Sequence, residues 1–199
     1  MRIWLLTILL LAGCSRSANE ASAVVKSNPI DEQYAVYSVL LNEIHNSPED
    51  GSQVKLIVIN DQTSGDNVTK QSPEYIFQSY KVSLSPEFQA ALKDYEAKNK
   101  EPQRLIGSFD LKVDYVLLNK KDFDAFFKGN SYWKDYYRKY PNSPGYITLS
   151  KVGFDPDMKH ALVYVGIDCG GLCGDGSYRL LTKEDGVWKE TKRLSFWAS

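Results

Sequence analysis

The chain has 199 residues, of which 43% are hydrophobic and 25% are charged, and its formal net charge is −1 with a pI of about 6.1. This composition is ordinary for a globular protein of one domain, or at most two small ones. Because there is no excess of basic residues to neutralise a phosphate backbone, the sequence excludes nucleic acid as an expected partner.

The first segment, residues 1–13, is typical of a signal peptide. Arg2 gives it a positive start, and residues 3–11 form an uncharged apolar run. That run is too short to cross a bilayer, which takes about 20 residues, but it suits the apolar region of a secretory signal. It leads directly into the tetrapeptide Leu11-Ala12-Gly13-Cys14. This tetrapeptide resembles the lipobox of bacterial prolipoproteins.

The resemblance implies that the signal peptide is removed and that Cys14 becomes a lipidated N-terminus. Two or more acyl chains hold a protein on a membrane where one chain is marginal. Ser15 stands where an Asp would favour retention at the inner membrane. In a host with two membranes, we therefore expect the protein on the outer membrane, facing the periplasm. Residues 14–27 are small and polar, as in a flexible tether. A plain secretory signal with an incidental cysteine is the alternative.

Residues 28–199 are predicted to form a single globular domain, with most of its helices in the first half. Asn28 and Pro29 begin a helix that runs to about His45. Its apolar stripe predicts core positions for two tyrosines. A second helix runs from Ser85-Pro86 to about Asn99, and two helical pieces occupy residues 120–140. The stripe comprises Ile30, Tyr34, Tyr37, Leu41 and Ile44.

Strand-like runs dominate the last third of the chain. They cover residues 146–152, 161–167, 177–182 and 187–196, separated by short turns. Short turns between consecutive strands predict an antiparallel meander. Earlier runs at 54–59 and 111–118 also predict strands, as does the alternating segment 80–84. The predicted fold class is α+β, with the C-terminal meander packed against helices from the N-terminal half.

Two cysteines remain if Cys14 is lipidated, and they lie close together as Cys169 and Cys173. An even remainder in an exported chain predicts a disulfide. The neighbouring glycines allow the tight loop that such a bond requires. A ring this small contributes about 2 kcal/mol on the chain-entropy estimate. The pair is therefore interpreted as a structural staple of a β-hairpin.

Redox chemistry and metal binding are the alternatives for this pair. The Cys-x-x-x-Cys spacing resembles that of membrane-anchored copper-handling proteins with a thioredoxin fold, which add a distant histidine. The only histidines here are His45 and His160, and His160 is expected at the wrong end of the strand that leads into the loop. Asp168 and Asp175 are candidate oxygen ligands for calcium. The sequence assigns no cofactor and no metal.

From about Gly145 to its end, the chain resembles a group of uncharacterised exported bacterial proteins. The likeness implies no activity, because none is assigned to that group. The last hairpin is also similar to the final hairpin of the nuclear-transport-factor-2-like fold. The residues that carry the first likeness are Gly153-Phe154, residues 161–165, residues 169–174, Tyr178, Leu180-Leu181, Gly186, Trp188-Lys189 and Trp197.

The sequence contains no His-Glu-x-x-His, Gly-x-Ser-x-Gly, Walker or dinucleotide-binding motif. We therefore expect a membrane-anchored envelope lipoprotein with a non-enzymatic binding or structural role. Its partners would be the membrane, through the lipid, and an envelope protein or cell-wall component. A thiol-redox or metal-handling accessory protein is the second hypothesis, and a hydrolase without a familiar motif is the third. The aromatic residues between Phe123 and Tyr140 are either buried or line a cleft.

Overall fold

The computed structural model describes residues 28–46, 53–65, 71–129 and 132–199. The predicted signal peptide, lipobox and tether lie outside these residues. The described chain is a mixed α/β structure with five helices and a seven-stranded sheet, most of it in the C-terminal half. The helices are α1 (Pro29–Asn46), α2 (Pro73–Ser79), α3 (Pro86–Lys98), α4 (Lys120–Ala125) and α5 (Trp133–Lys139). The strands are β1 (Leu56–Asn60), β2 (Asp114–Leu118), β3 (Tyr146–Leu149), β4 (Gly153–Phe154), β5 (His160–Asp168), β6 (Gly174–Glu184) and β7 (Val187–Ala198).

The strand order is β2-β1-β3-β5-β6-β7, with β4 added beside β5. Strands β3, β5, β6 and β7 correspond to the four predicted C-terminal runs, and each pairs antiparallel with the next. Strand β1, in contrast, pairs parallel with both β2 and β3. Parallel pairing needs a long crossover, and helices α2 to α5 supply it in the two connections. The sheet is therefore mixed rather than wholly antiparallel.

Helix α1 covers one face of the sheet. Its residues Tyr34 and Tyr37 are buried there, as the apolar stripe predicts. The Tyr37 hydroxyl donates a 2.7 Å hydrogen bond to the carbonyl of Ser150, so its polar end is satisfied inside the core. The helix begins as expected, with the Asn28 side chain accepting a hydrogen bond from the backbone N–H of Ile30.

Two separate clusters cover the opposite face. In the first, α2 and α3 pack on β5 and β6, with Phe77, Tyr95 and Tyr178 buried together. In the second, α4 and α5 pack on β1 and β3, around Tyr136 and Tyr146. Because the clusters are separate, part of the sheet surface near the end of β3 remains accessible from this side.

The predicted strand at residues 80–84 is wrong. Helix α2 begins upstream of it, with Ser72 capping its N-terminus, and ends at Ser79. Tyr80 and Lys81 form a turn, and the backbone N–H of Val82 bonds back to the carbonyl of Phe77, so the segment pairs with no strand of the described chain. The alternating pattern has another cause, since Val82 and Leu84 pack against the α2–α3 cluster. None of the helices that the structure describes is long and apolar enough to span a bilayer.

Candidate functional site

A cleft of about 920 Å³ lies at the carboxyl ends of β1 and β2. Asn60 is the last residue of β1, and Asn119 follows β2 directly. Because β1 to β3 run parallel, their carboxyl ends meet at one edge of the sheet, which is where ligands bind in α/β structures. The cleft is lined by Asn60, Asp61, Gln62, Thr63, Ser64, Gly65, Asn119, Lys120, Lys121, Phe123, Phe127, Trp133, Tyr146, Thr148, Tyr164, Gly166 and Asp168.

The loop after β1, residues 61–65, forms one wall and is held by backbone hydrogen bonds. The N–H of Asp61 donates to the carbonyl of Leu118, and the N–H of Ser64 donates to that of Leu149. Thr63 is buried and bonded in both directions to Gln103, through its backbone N–H and its hydroxyl. The loop is therefore tied to both neighbouring strands, and it presents its side chains from a fixed backbone.

Aromatic rings from α5, from α4 and from the turn after α4 form another wall. Phe123 is buried and stacks on Tyr146 of β3, with ring centroids 3.9 Å apart and an interplanar angle of 8°. Phe127 and Trp133 are only partly buried and pack edge to face at 5.3 Å. Of the two alternatives for this aromatic segment, both occur: Tyr136 and its neighbours fill the core, whereas Phe127 and Trp133 line the cleft.

On the floor of the cleft, Gly166 of β5 lies directly opposite Gly176 of β6 in the strand pairing. The Tyr164 ring lies over Gly166, where a Cβ atom would come within 2.5 Å of its hydroxyl oxygen. The indole of Trp197 lies over Gly176 in the same way and donates a 3.1 Å hydrogen bond to the Tyr164 hydroxyl. Only glycine leaves room for both rings to lie flat against the sheet.

The charges at the cleft are mixed. Asp61 and Asp168 supply carboxylates, and Lys120 and Lys121 lie at the start of α4. Lys120 forms an ion pair with Asp124, one turn along the helix. Burial raises the pKa of the Asp168 carboxyl, and the positive charge of Lys120 opposes that rise. Desolvation by burial also raises the pKa of Tyr146, and nearby carboxylates, Asp61 first among them, add to the effect.

The predicted cysteine pair lies directly after β5, beside the cleft. The Sγ atoms of Cys169 and Cys173 are 2.13 Å apart, a distance that fits a disulfide. The backbone N–H of Cys169 donates to the carbonyl of Cys173 at 3.0 Å, and the Tyr137 hydroxyl donates to the carbonyl of Cys169 at 2.9 Å. The loop is thus fixed to α5, which carries Trp133, and it follows Asp168 directly.

The other candidate ligands do not come together with these cysteines. His160 begins β5, so it lies about 30 Å along the strand from Cys169. Asp168 pairs with Gly174, whereas Asp175 pairs with Ile167, so the two carboxylates point to opposite faces of the sheet. Asp175 instead forms an ion pair with Arg193. Within the described ranges, no three His, Cys, Asp or Glu side chains form a group that could hold a metal ion. The side chain of His45 lies outside what the structure describes.

Sequence reasoning did not find this cleft. Its members come from several segments that are far apart in the chain between Asn60 and Asp168, and each has an ordinary explanation as a turn, strand or helix residue. The parallel insertion of β1 between β2 and β3 brings them together. A run of β-branched residues that ends at Asn60-Asp61 was the available signal, because polar residues at a parallel strand's carboxyl end mark the ligand edge.

Comparison with known proteins adds no assignment. No protein-family model matches the sequence. No curated protein and no solved structure matches it either.

Proposed function

We propose that the protein is a membrane-anchored envelope lipoprotein with a non-enzymatic binding role, and that its ligand is held in the cleft at the end of β1. The observation that carries the binding role is the position of this cleft, at the carboxyl edge of parallel strands. Its volume of about 920 Å³ falls within the usual range for small-molecule sites.

The chemistry of the lining supports the same role. Ligand sites combine an apolar surface with a few polar groups that fix orientation. Here partly exposed rings, Phe127 and Trp133, line the same cleft as two carboxylates and several hydroxyls. The Ser64 hydroxyl oxygen is buried yet has no hydrogen-bond partner in the described part of the chain. Buried polar atoms nearly always have a partner, so this oxygen is suited to a ligand.

A fragment screen by protein-observed NMR tests the binding role, with the lipidated full chain in detergent micelles. We expect hits to perturb the backbone amides of residues 61–65 and 119–121. A cleft-filling variant, Thr148→Trp, should lose those hits, whereas Asp157→Asn, in an exposed turn before β5, should keep them. Hits that scatter over other surfaces, or that survive in Thr148→Trp, would contradict the proposal.

The anchor is the second part of the proposal, and it rests on the lipobox resemblance of Leu11-Ala12-Gly13-Cys14. Acyl chains on Cys14 would hold the protein on the membrane through the tether. Cells labelled with a radioactive fatty acid should incorporate the label into the wild-type chain and not into Cys14→Ser. A Cys14→Ser chain that still fractionates with membranes would refute the lipid anchor.

For Cys169 and Cys173 we propose a structural disulfide rather than a redox or metal-handling role. The hydrogen bonds that fix their loop support this assignment, because the loop is held in place around the bond. A structural bond should have a reduction potential below about −300 mV. Measurement of that potential, with intact mass before and after reduction, separates the roles. Two free thiols in protein isolated from the cell envelope would contradict the structural disulfide.

A further inference from the structure

The lining of the cleft combines two chemically different sets of groups. One set is aromatic, with Trp133 and Phe127 partly exposed. The other set forms hydrogen bonds: the carboxylates of Asp61 and Asp168 and the hydroxyl of Ser64. A ligand that contacts both sets needs an apolar face together with several hydroxyl or amide groups.

The hydrogen-bonding groups have capacity that the described chain does not use. No hydrogen bond from a described side chain reaches the carboxylate of Asp61 or Asp168, although a carboxylate can accept up to about four. The Tyr164 hydroxyl accepts from the Trp197 indole, which leaves its own O–H able to donate. The buried Ser64 oxygen has no partner within the described ranges. The unused capacity of these four groups is therefore mainly for accepting hydrogen bonds, with the two hydroxyls also able to donate.

The charges favour a ligand without net charge. Asp61 and Asp168 repel an anion, whereas Lys120 and Lys121 at the rim repel a cation. Lys120 is already paired with Asp124, so it supplies no strong attraction for a phosphate or carboxylate. A neutral molecule is repelled by neither set of charges, and its hydroxyls can donate hydrogen bonds to the carboxylates.

We infer that the ligand of this cleft is a neutral sugar, presented as a short oligosaccharide. One sugar ring lies with its C–H face against Trp133, and its hydroxyls donate to Asp168 and Asp61 while Ser64 and Tyr164 bind further oxygens. The inference rests on the proposed binding function and names the ligand class for that same site. Asp168 is held in place by the neighbouring cysteine loop, whose Cys169 carbonyl accepts the Tyr137 hydroxyl. Wall and floor are therefore fixed relative to each other before the ligand arrives.

Titration calorimetry of the lipidated full chain tests this inference with maltotriose, cellotriose and tri-N-acetylchitotriose as probes. At least one should bind saturably. Asp168→Asn and Trp133→Ala should each weaken that binding by about tenfold or more, because a hydrogen bond to a charged group or a stacked ring is lost. Asp157→Asn, outside the cleft, should leave the affinity unchanged. Trp133→Phe keeps an aromatic ring at this position and is the control for misfolding of Trp133→Ala. It should retain part of the affinity.

Spermidine and inorganic phosphate complete the panel, as a cationic and an anionic probe. If a charged probe binds and every trisaccharide fails, the ligand class is wrong, while the binding function of the cleft stands. If no probe binds and the fragment screen also leaves the cleft amides unchanged, the binding function itself fails. Trisaccharide binding that is equal in Asp168→Asn, Trp133→Ala and wild type would place the sugar elsewhere and overturn the inference.

Discussion

Glu32 is a buried acid that joins α1 to the last hairpin, and its removal should destabilise the protein markedly. Its side chain accepts a 2.5 Å hydrogen bond from the Lys183 ammonium and a 2.7 Å bond from the Trp188 indole N–H. Glu32 is 7% exposed and Trp188 is 3% exposed, so water replaces neither partner easily. The two bonds span more than 150 positions of sequence, and they fix the first helix against β6 and β7.

The expected loss of stability follows from the two groups that Glu32→Ala leaves without their acceptor, the Lys183 ammonium and the Trp188 indole N–H. Breaking a buried ion pair by removing one partner costs about 3–5 kcal/mol. Lys183 is about one-fifth exposed and can turn towards water, which lowers the expected loss to about 2–4 kcal/mol. For a chain of this size, such a loss lowers Tm by about 5–15 °C. Glu32→Gln should lose less, because the amide oxygen still accepts from the Trp188 indole.

Differential scanning calorimetry of the full chain at one detergent concentration measures the effect. Asp31→Ala is the matched control, since Asp31 is the exposed neighbour in the same helical turn. It should change the free energy of unfolding by no more than about 0.5 kcal/mol. A Glu32→Ala variant that melts within 2 °C of wild type, about 0.5 kcal/mol for this chain length, would show that these two bonds do not stabilise the fold.

Two further predictions concern the turn before β5 and the contact between β4 and α3. Burial of Asp155 opposes its ionisation, but hydrogen bonds from the backbone N–H and the ring of His160 outweigh burial and lower the pKa of the carboxyl. Its stabilising contribution is therefore present above the pKa of an unfolded Asp, about 3.9, and is lost as the pH falls through the lower folded value. The Tm difference between wild type and Asp155→Asn should be largest above pH 5 and shrink below pH 4, and a difference independent of pH would contradict this. Gly153→Ala should destabilise the fold by about 1–3 kcal/mol in urea titration, because its Cβ would lie 2.3 Å from the backbone oxygen of Ala91. Gly171→Ala, where no atom lies within 4 Å, should be near neutral, and equal losses at the two glycines would show that the contact is not the cause.

Helix starts, helix breaks and hairpin turns could be predicted from the sequence, because each depends on residues that are neighbours in the chain. The starts of α1 and α3 could be predicted because Asn28 and Ser85 cap the chain immediately before a proline. The break between α4 and α5 was visible as Gly129-Asn130. The C-terminal strands could be predicted because their turns are short, as at Asp185-Gly186, where both residues take the positive φ of a tight hairpin turn.

Long-range pairing could not be predicted in the same way. Strand β1 is a short β-branched run, and its sequence does not determine which strands it pairs with. Its partners lie far along the chain. The cleft depends on that pairing, so its members Asp61 and Asp168 could not be connected beforehand. The segment 80–84 shows the opposite error: alternation that arises from packing against helices was mistaken for a strand.

The proposed function depends on ligand binding in the cleft at the carboxyl end of β1. Intermolecular nuclear Overhauser effects from a bound fragment or trisaccharide measure this directly. We expect contacts from the ligand protons to the Trp133 indole and to the Thr148 methyl group, because both residues line the cleft. Contacts that run instead to Val39 or Ala35 on α1, on the opposite face of the sheet, would contradict it.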